Sequence, residues 1–265
     1  MADNIILGID VGATGMKGGL VDLSKGEMVT ERYRFETPSG GKPAAMATVV
    51  DQLVNHFDYQ GPVGVGFPAI VRRGVAASAS NIDDDWIGTN IEELFGNKTG
   101  LKFYAVNDAD AAGIATMMYG TGRPYAQDGT AVMVTIGTGL GGALFVDGIL
   151  MPNLEIGQIY LKNQKVVAEK YVSNRVRKDA NMSWKEFGKR FQKFIHHIDG
   201  VLNPDVIILG GGGSKYFGEY EKYLKANAKI VAATLQNTAG TVGAAVYAAK
   251  RTGVELGAAA GAMLD

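Results

Sequence analysis

Apolar residues in this chain follow two rhythms: short runs punctuated by glycine, and longer stretches in which they recur every three or four positions. The short runs predict strands at "NIILGID", "GGLVDL", "MVTERYRFE", "VGVGFPAIV" and "KFYAVND". "VGATGMK" separates the first two as a glycine turn, so the sheet is expected to begin antiparallel. After "GGKP", Met46, Val49, Val50, Leu53, Val54 and Phe57 share one helical face. A second helix is expected in "AAGIATMMYG".

The pattern then restarts. "TAVMVTIG" reads as a strand, "TGLGG" as a turn and "ALFVDG" as a returning strand. From Ser183 to Leu202 the spacing predicts a long helix: Ser183 and Glu186 form a capping box, and Trp184, Phe187, Phe191, Phe194, Ile195, Ile198 and Leu202 share a face. His196 and His197 lie in this helix with no ligand at metal spacing, so they are expected at its solvated edge. After "NP" come a strand at "DVIILG", the cluster "GGGSK" and a helix around "EYEKYLKANA". "AGTVGAAVYAAKRTG" closes the pattern as a helix with Gly253 at its C-cap. Two strand–turn–strand units, beginning near residues 5 and 131, predict two similar α/β domains around a central cleft. The expected N-terminal domain covers 1–109, completed by the helix at 238–253. The C-terminal domain covers 110–237, and 254–265 reads as a flexible tail.

Composition narrows the chemistry. The 265 residues contain 26 Lys and Arg against 27 Asp and Glu, which argues against general binding to nucleic acid or a membrane surface. Without cysteine there is no disulfide, thiolate metal site or thiol nucleophile. No long apolar span and no leader pattern is visible, so a cytoplasmic protein is expected. The 37 glycines cluster after apolar runs, where backbone can approach a ligand.

In "GIDVGATGMK" a strand delivers Asp10 to its end, Gly12 and Gly15 open backbone N–H groups, and Thr14 and Lys17 add a hydroxyl and a cation. This is an anion nest beside an acid able to hold a hydrated divalent cation. An ordinary hairpin turn would explain the glycines but not their neighbours. The stretch is not a Walker loop, because a strand follows it. "IGTGLGG" is a poor Rossmann fingerprint for the same reason, and reads better as a second phosphate turn carrying Thr138 and Gly139. The third cluster, at 209–215, either admits a flat base or phosphate chain or lets a helix pack closely on a strand. In "AVNDADAAG", Asn107, Asp108 and Asp110 stand where a strand runs into a helix. They read either as helix capping or as a site with a catalytic carboxylate.

These features resemble the actin-like sugar kinases, and more narrowly the ROK family (repressors, open reading frames and sugar kinases). "GIDVGATGMKGGLVD" is similar to that family's first phosphate motif, "VNDADAAG" to its catalytic segment and "VTIGTGLGGALFVDGILMPNLEIGQ" to its long signature. "TPSGGKP", "GVGFPAIV", "LEIGQ", "AEKYVSNRVRKDANMSW", "NPDVIILGGGGSK" and "LQNTAGTVGAA" resemble the polyphosphate-dependent glucokinases (glucomannokinases) within it. The resemblance implies the actin-like ATPase (ribonuclease H-like) fold and phosphoryl transfer from polyphosphate or ATP to the 6-hydroxyl of glucose or a related hexose. Asp108 would be the general base. Asn107, Asn81, Glu155, Gln158 and Glu169 would bind the sugar. Gly12, Thr14, Gly15, Lys17, Thr138, Gly139, Gly211 and Gly212 would hold donor phosphates, and Asp10 a hydrated Mg²⁺. Asp110 receives no role beyond helix capping or a salt bridge.

The resemblance also implies a homodimer. Many ROK kinases hold zinc with one His and three Cys; no zinc is expected here. A second departure is that the family's E-x-G-H appears as Glu155-Ile156-Gly157-Gln158, which bears on sugar preference. A long polyanion also needs a basic track, for which Arg175, Arg177, Lys178, Lys185, Lys189, Arg190 and Lys193 are candidates, against the reading that they are solvated helix charges. An ATP-dependent hexokinase of other sugar preference and a catalytically weak sugar sensor are the alternatives. The first strand begins within a few residues of Met1, so no DNA-binding module is expected before it.

Overall fold

A computed structural model describes residues 4–79 and 81–254. Along the chain run β1 (Ile5–Val11), β2 (Met16–Asp22), β3 (Glu27–Met28), β4 (Tyr33–Phe35), α1 (Pro43–His56), β5 (Val63–Phe67), β6 (Val71–Arg72), β7 (Val75–Ala76), α2 (Ile91–Thr99), β8 (Phe103–Asn107) and α3 (Asp108–Tyr119). Then follow β9 (Thr130–Ile136), β10 (Leu140–Val146), β11 (Ile149–Leu154), α4 (Ala168–Tyr171), α5 (Asn174–Asp179), α6 (Trp184–Leu202), β12 (Val206–Gly210), α7 (Phe217–Tyr220), β13 (Lys229–Ala232) and α8 (Ala239–Thr252). These elements form two compact units. The first takes the chain up to Tyr119 and resumes it from Thr238; the second runs from Gly120 to Asn237.

In the first unit the sheet order is β3-β2-β1-β5-β8, with β4 also paired to β2. β1 and β2 are antiparallel, whereas β1, β5 and β8 are parallel. Helix α8 packs on this sheet at backbone contact. A Cβ on Gly8 would strike the Thr241 carbonyl, one on Gly64 the Ala244 backbone, and one on Gly243 the Ala111 backbone of α3. Several glycines that follow apolar runs therefore serve helix–sheet packing and not a ligand. Elsewhere in the core Trp86 packs between Phe67 and Phe95 and satisfies its buried indole N–H on the Gly41 carbonyl, 2.8 Å away.

The second unit repeats the plan with sheet order β11-β10-β9-β12-β13. Its three leading strands are antiparallel, and β12 and β13 run parallel to β9. Helix α6 buries Phe187, Phe191, Phe194, Ile195 and Ile198 against this sheet. Its expected capping box is present: Ser183 N donates to Glu186 Oε2 at 2.9 Å, and Glu186 N donates to Ser183 Oγ at 3.2 Å. His196 is exposed and His197 half-buried, in line with the edge expected for them. Gly253 caps α8 in the left-handed conformation.

Two sequence expectations are corrected. "MVTERYRFE" is not one strand, because Thr30 Oγ1 accepts the Leu20 N–H at 3.1 Å and so interrupts the ladder between β3 and β4. "EYEKYLKANA" is not one helix either. It breaks into α7 and a 3-10 turn over Glu221–Tyr223, after which Gln192 and Asp199 of α6 accept the backbone N–H groups of Lys225, Asn227 and Ala228. Those acceptors replace the carbonyls a continuing helix would have offered. The tail expected at 254–265 lies outside the described residues from 255 onward.

Candidate active site

In the first unit the site residues gather at the carboxyl ends of three parallel strands, where ligands of open α/β sheets collect. Asp10 of β1 lies beside Gly66 of β5, which lies beside Val106 of β8. The next residues of β8 and α3 are Asn107 and Asp108. A Cβ placed on Gly66 would sit 3.6 Å from the Asp108 Cα, and one on Gly240 would sit 3.1 Å from the Asp10 carboxyl carbon. Asp10 and Asp108 thus flank a floor made of glycine.

Asn107, not Asp110, caps α3. Its Oδ1 accepts the N–H groups of Ala109 and Asp110 at 2.9 and 3.1 Å, and its Nδ2 donates to the Ala69 carbonyl at 3.0 Å. The side chain is only 7% exposed, and its bond to Ala69 uses one of its two amide hydrogens. Asp110 is fully buried within the first turn of α3, and of the two roles expected for it, helix capping or a salt bridge, the cap belongs to Asn107. Asp108 is half-buried at the head of the helix and its Oδ1 accepts the Ala109 N–H at 2.8 Å. Asn81 is exposed, with its backbone in the left-handed region, between Ala79 and Ile82, which pack on the core.

The first glycine turn closes by a hydrogen bond from Gly12 N to the Gly15 carbonyl, 3.1 Å. Thr14 is exposed at its tip. Lys17 lies opposite Asp10 and pairs with it at 3.2 Å. Two residues that sequence reasoning missed brace this turn: Thr37 Oγ1 donates to the Gly12 carbonyl, and Arg34 Nη2 to the Thr14 carbonyl, both at 2.5 Å. Thr37 belongs to "TPSGGKP", a stretch whose likeness was visible but whose contact was not.

The second unit carries a glycine turn of its own. Gly137 N donates to the Gly139 carbonyl at 3.0 Å, closing the turn between β9 and β10, with Thr138 exposed at its tip. A Cβ on Gly139 would collide with the Glu169 carboxylate. Glu169 Oε1 in turn accepts from Gln158 Nε2 at 3.0 Å. Crowding by protein atoms, aided by the negative charge of Glu169, pushes the Glu155 carboxyl above its usual value although solvent still reaches it. The second turn and Glu155, Gln158 and Glu169 therefore form one cluster. Gly211 and Gly213 pack against Ile136 at the end of β9, where a Cβ would clash, whereas Gly212 faces open space. Of the third cluster, Gly212 alone among these three has room for a ligand beside it.

The basic residues are less free than their sequence suggests. Arg177 lies 4.1 Å over the Trp184 ring and donates to the Met182 carbonyl, and Arg190 and Lys193 lie over Tyr171. Arg175 pairs with Asp179 at 3.7 Å, but its backbone N–H reaches the Gly137 carbonyl, so α5 starts against the second turn. Among the described residues no group of three or more His, Asp and Glu is arranged to hold a metal.

A model of the ROK family matches residues 6–153. The chain belongs to the ROK family. This ROK chain is 38% identical over 240 residues to the polyphosphate glucokinase of Mycobacterium tuberculosis (strain CDC 1551 / Oshkosh), covering 90% of the one and 89% of the other. The crystal structure of inorganic polyphosphate/ATP-glucomannokinase from Arthrobacter sp. strain KM matches it with a TM-score of 0.89 and 38% identity, over 93% of this chain and 99% of that one. A ROK family glucokinase from Streptomyces griseus, solved with glucose and AMPPNP, matches with a TM-score of 0.78 at 21% identity, over 93% and 99%. The fold is the expected actin-like α/β fold.

Proposed function

We propose that this ROK chain is a hexose kinase that transfers a phosphoryl group from inorganic polyphosphate, with ATP as a second donor, to the 6-hydroxyl of glucose or a related hexose. The observation that carries the reading is the cluster of Glu155, Gln158 and Glu169 against Gly139, which joins hydroxyl-binding carboxylates to a phosphate turn. The similarity to a polyphosphate glucokinase and to a polyphosphate/ATP-glucomannokinase supports the donor.

Asp108 accepts the hydroxyl proton as the phosphorus–oxygen bond forms; a weak base suffices because the proton leaves late. Asn107 fixes the head of α3 and so aims Asp108, and offers its remaining amide hydrogen to the sugar, joined there by Asn81. Glu155 and Glu169 accept from ring hydroxyls, and Gln158 holds Glu169 in place. Gly12, Thr14, Gly15 and Lys17 of the first turn bind donor phosphates, as do Thr138 and Gly139 of the second turn and Gly212, with Gly211 shaping the backbone. Positioning and charge neutralisation supply most of the acceleration.

A lone carboxylate at a strand end suits Mg²⁺, which keeps its waters and takes the remaining ligands from donor phosphates. Asp10 would hold it there, and the ion would neutralise donor charge. A homodimer and a cytoplasmic location complete the proposal. Exposed Ile149 and Met151 on the edge strand β11 support the dimer, which light scattering tests.

Turnover measured across polyphosphate, tripolyphosphate and ATP against glucose, mannose and other hexoses tests the reading. Activity with ATP alone would overturn the polyphosphate donor. Gln158 in place of His favours one second reading, a sugar sensor; it predicts hexose binding without turnover on any donor.

A further inference from the structure

Asp10, Lys17 and Arg34 form one row across three adjacent strands. Asp10 of β1 is the cross-strand partner of Lys17 of β2, and Lys17 is the partner of Arg34 of β4. Direct partners in a sheet place their side chains on the same face. The 3.2 Å ion pair between Lys17 and Asp10 follows from that placement and offsets the lysine charge. Arg34 has no such offset: among the described residues no carboxylate lies within ion-pair distance of it. The row therefore carries one net positive charge, and Arg34 holds it.

The guanidinium rests directly on the first glycine turn. Nη2 donates to the Thr14 carbonyl at 2.5 Å, and a Cβ on Gly15 would overlap the guanidinium atoms. Glycine at 15 thus makes room for an arginine head. One donor of five anchors the group and its side chain is exposed, so the others remain for a ligand. A planar cation held by a backbone carbonyl at the exposed tip of a glycine turn is an arrangement that takes phosphate oxygens in a fixed geometry.

We infer that Arg34 is a donor-binding residue that contacts the phosphates of a polyphosphate chain or nucleotide held at the first turn. The inference rests on the proposed kinase reading only in taking that turn as the place of the donor. The competing role is a brace alone, in which Arg34 merely shapes the turn through Thr14.

Two variants of the full chain separate charge from brace. Arg34→Gln keeps a donor for the Thr14 carbonyl and removes the charge; Arg34→Lys keeps the charge and removes the fork. Binding of tripolyphosphate, long polyphosphate and ATP is measured by calorimetry with Mg²⁺ over a salt series, with glucose binding as the control for an intact fold. Arg34→Gln should weaken the bound donor about tenfold, the lower end for a charge-assisted hydrogen bond because the site is open to water. It should also flatten the salt dependence by about one counterion, by analogy with phosphate contacts on other polyanions. Arg34→Lys should keep the salt slope and part of the affinity, and glucose binding should be unchanged in both. Comparing the three donors tells whether the contact serves the nucleotide, the chain or both. Unchanged donor affinity in Arg34→Gln, or losses in the two variants that match and do not depend on salt, would overturn the assignment in favour of the brace. If the parent protein binds glucose but none of the three donors, the donor site at the turn fails, and the role of Arg34 with it. Donor binding without turnover would instead strike the kinase reading alone.

Discussion

Gln158 donates its side-chain amide to Glu169 at 3.0 Å, and Glu169 lies against Gly139 of the second glycine turn. One carboxylate therefore ties Gln158 to the second glycine turn. Glutamine brings no positive charge to this cluster, so Glu155 faces Glu169 without a neutralising cation from position 158, and its carboxyl is pushed up by crowding first and by Glu169 second.

A pH dependence follows from that shift. With ionised Glu155 as the proposed hydroxyl acceptor, sugar KM should be high at low pH and fall as pH rises through the raised value. The stability contribution has the opposite sense: it is fully present below the ordinary 4.5 and is lost as pH rises through the shifted value. Glu169→Gln removes the smaller cause and should move the KM inflection partway back down. Gln158→His should also lower it by bringing a cation close to both carboxylates. KM–pH profiles for glucose check this; an inflection indifferent to both substitutions would contradict the coupling.

Asp108 and Asn107 should separate cleanly by measurement. Asp108→Asn is expected to lower kcat by at least about a hundredfold, the lower range for loss of a general base, with hexose affinity largely kept. Asn107→Ala removes the cap of α3 and the tie to Ala69, and should cost about 1 kcal/mol or more in stability besides weakening sugar binding. Chemical denaturation together with hexose titration reads both effects. Equal stability of Asn107→Ala and the parent would refute the capping role.

Gly64→Ala tests the docking of α8, which carries Gly240 to the side of Asp10. The added methyl has no room before the Ala244 backbone, so the helix must move. Overpacking of this kind costs about 1–3 kcal/mol, read as a lower urea midpoint. A displaced α8 should also disturb Asp10, raising donor KM more than sugar KM. Full retention of the midpoint would mean that the helix seat is more yielding than its contacts imply.

Much of this arrangement is legible in the residues. The capping box at Ser183 and Glu186, the amphipathic face of α6 and the two glycine turns depend on neighbours close in sequence, and periodicity reports such neighbours well. Harder to see are Arg34 and Thr37, which reach the first turn from about twenty residues away, and the hydroxyl of Thr30, which splits a strand by taking a ladder bond. "EYEKYLKANA" misleads for the same reason: helix-like spacing loses to Gln192 and Asp199, acceptors supplied from α6. Gly8, Gly64 and Gly243 fall inside the strands and the helix expected there, but nothing in the sequence marks them as the contact points of α8 with the sheet and α3. Asn107 takes the cap because strand β8 ends on it, one residue short of the Asp108 that the expected strand included, which puts the asparagine at the boundary.

The basic segment of α5 gives the sharpest separation. Arg177 stacks on Trp184 and donates to the Met182 carbonyl, so its head is committed to structure, whereas exposed Arg175 and Lys178 stand on a helix that begins at the Gly137 carbonyl. Arg177→Ala should lower thermal stability by about 1–2 kcal/mol, from the lost cation–π contact and hydrogen bond, with little preference between donors. Arg175→Ala with Lys178→Ala should leave stability within about 0.5 kcal/mol, since the Arg175–Asp179 pair is exposed. That pair of substitutions should raise KM for long polyphosphate severalfold while sparing ATP, because only a chain longer than the turns reaches beyond them. Thermal melts and donor KM values on the two proteins decide it: equal losses on both donors, or none on either, would remove α5 from the path of the polyphosphate chain.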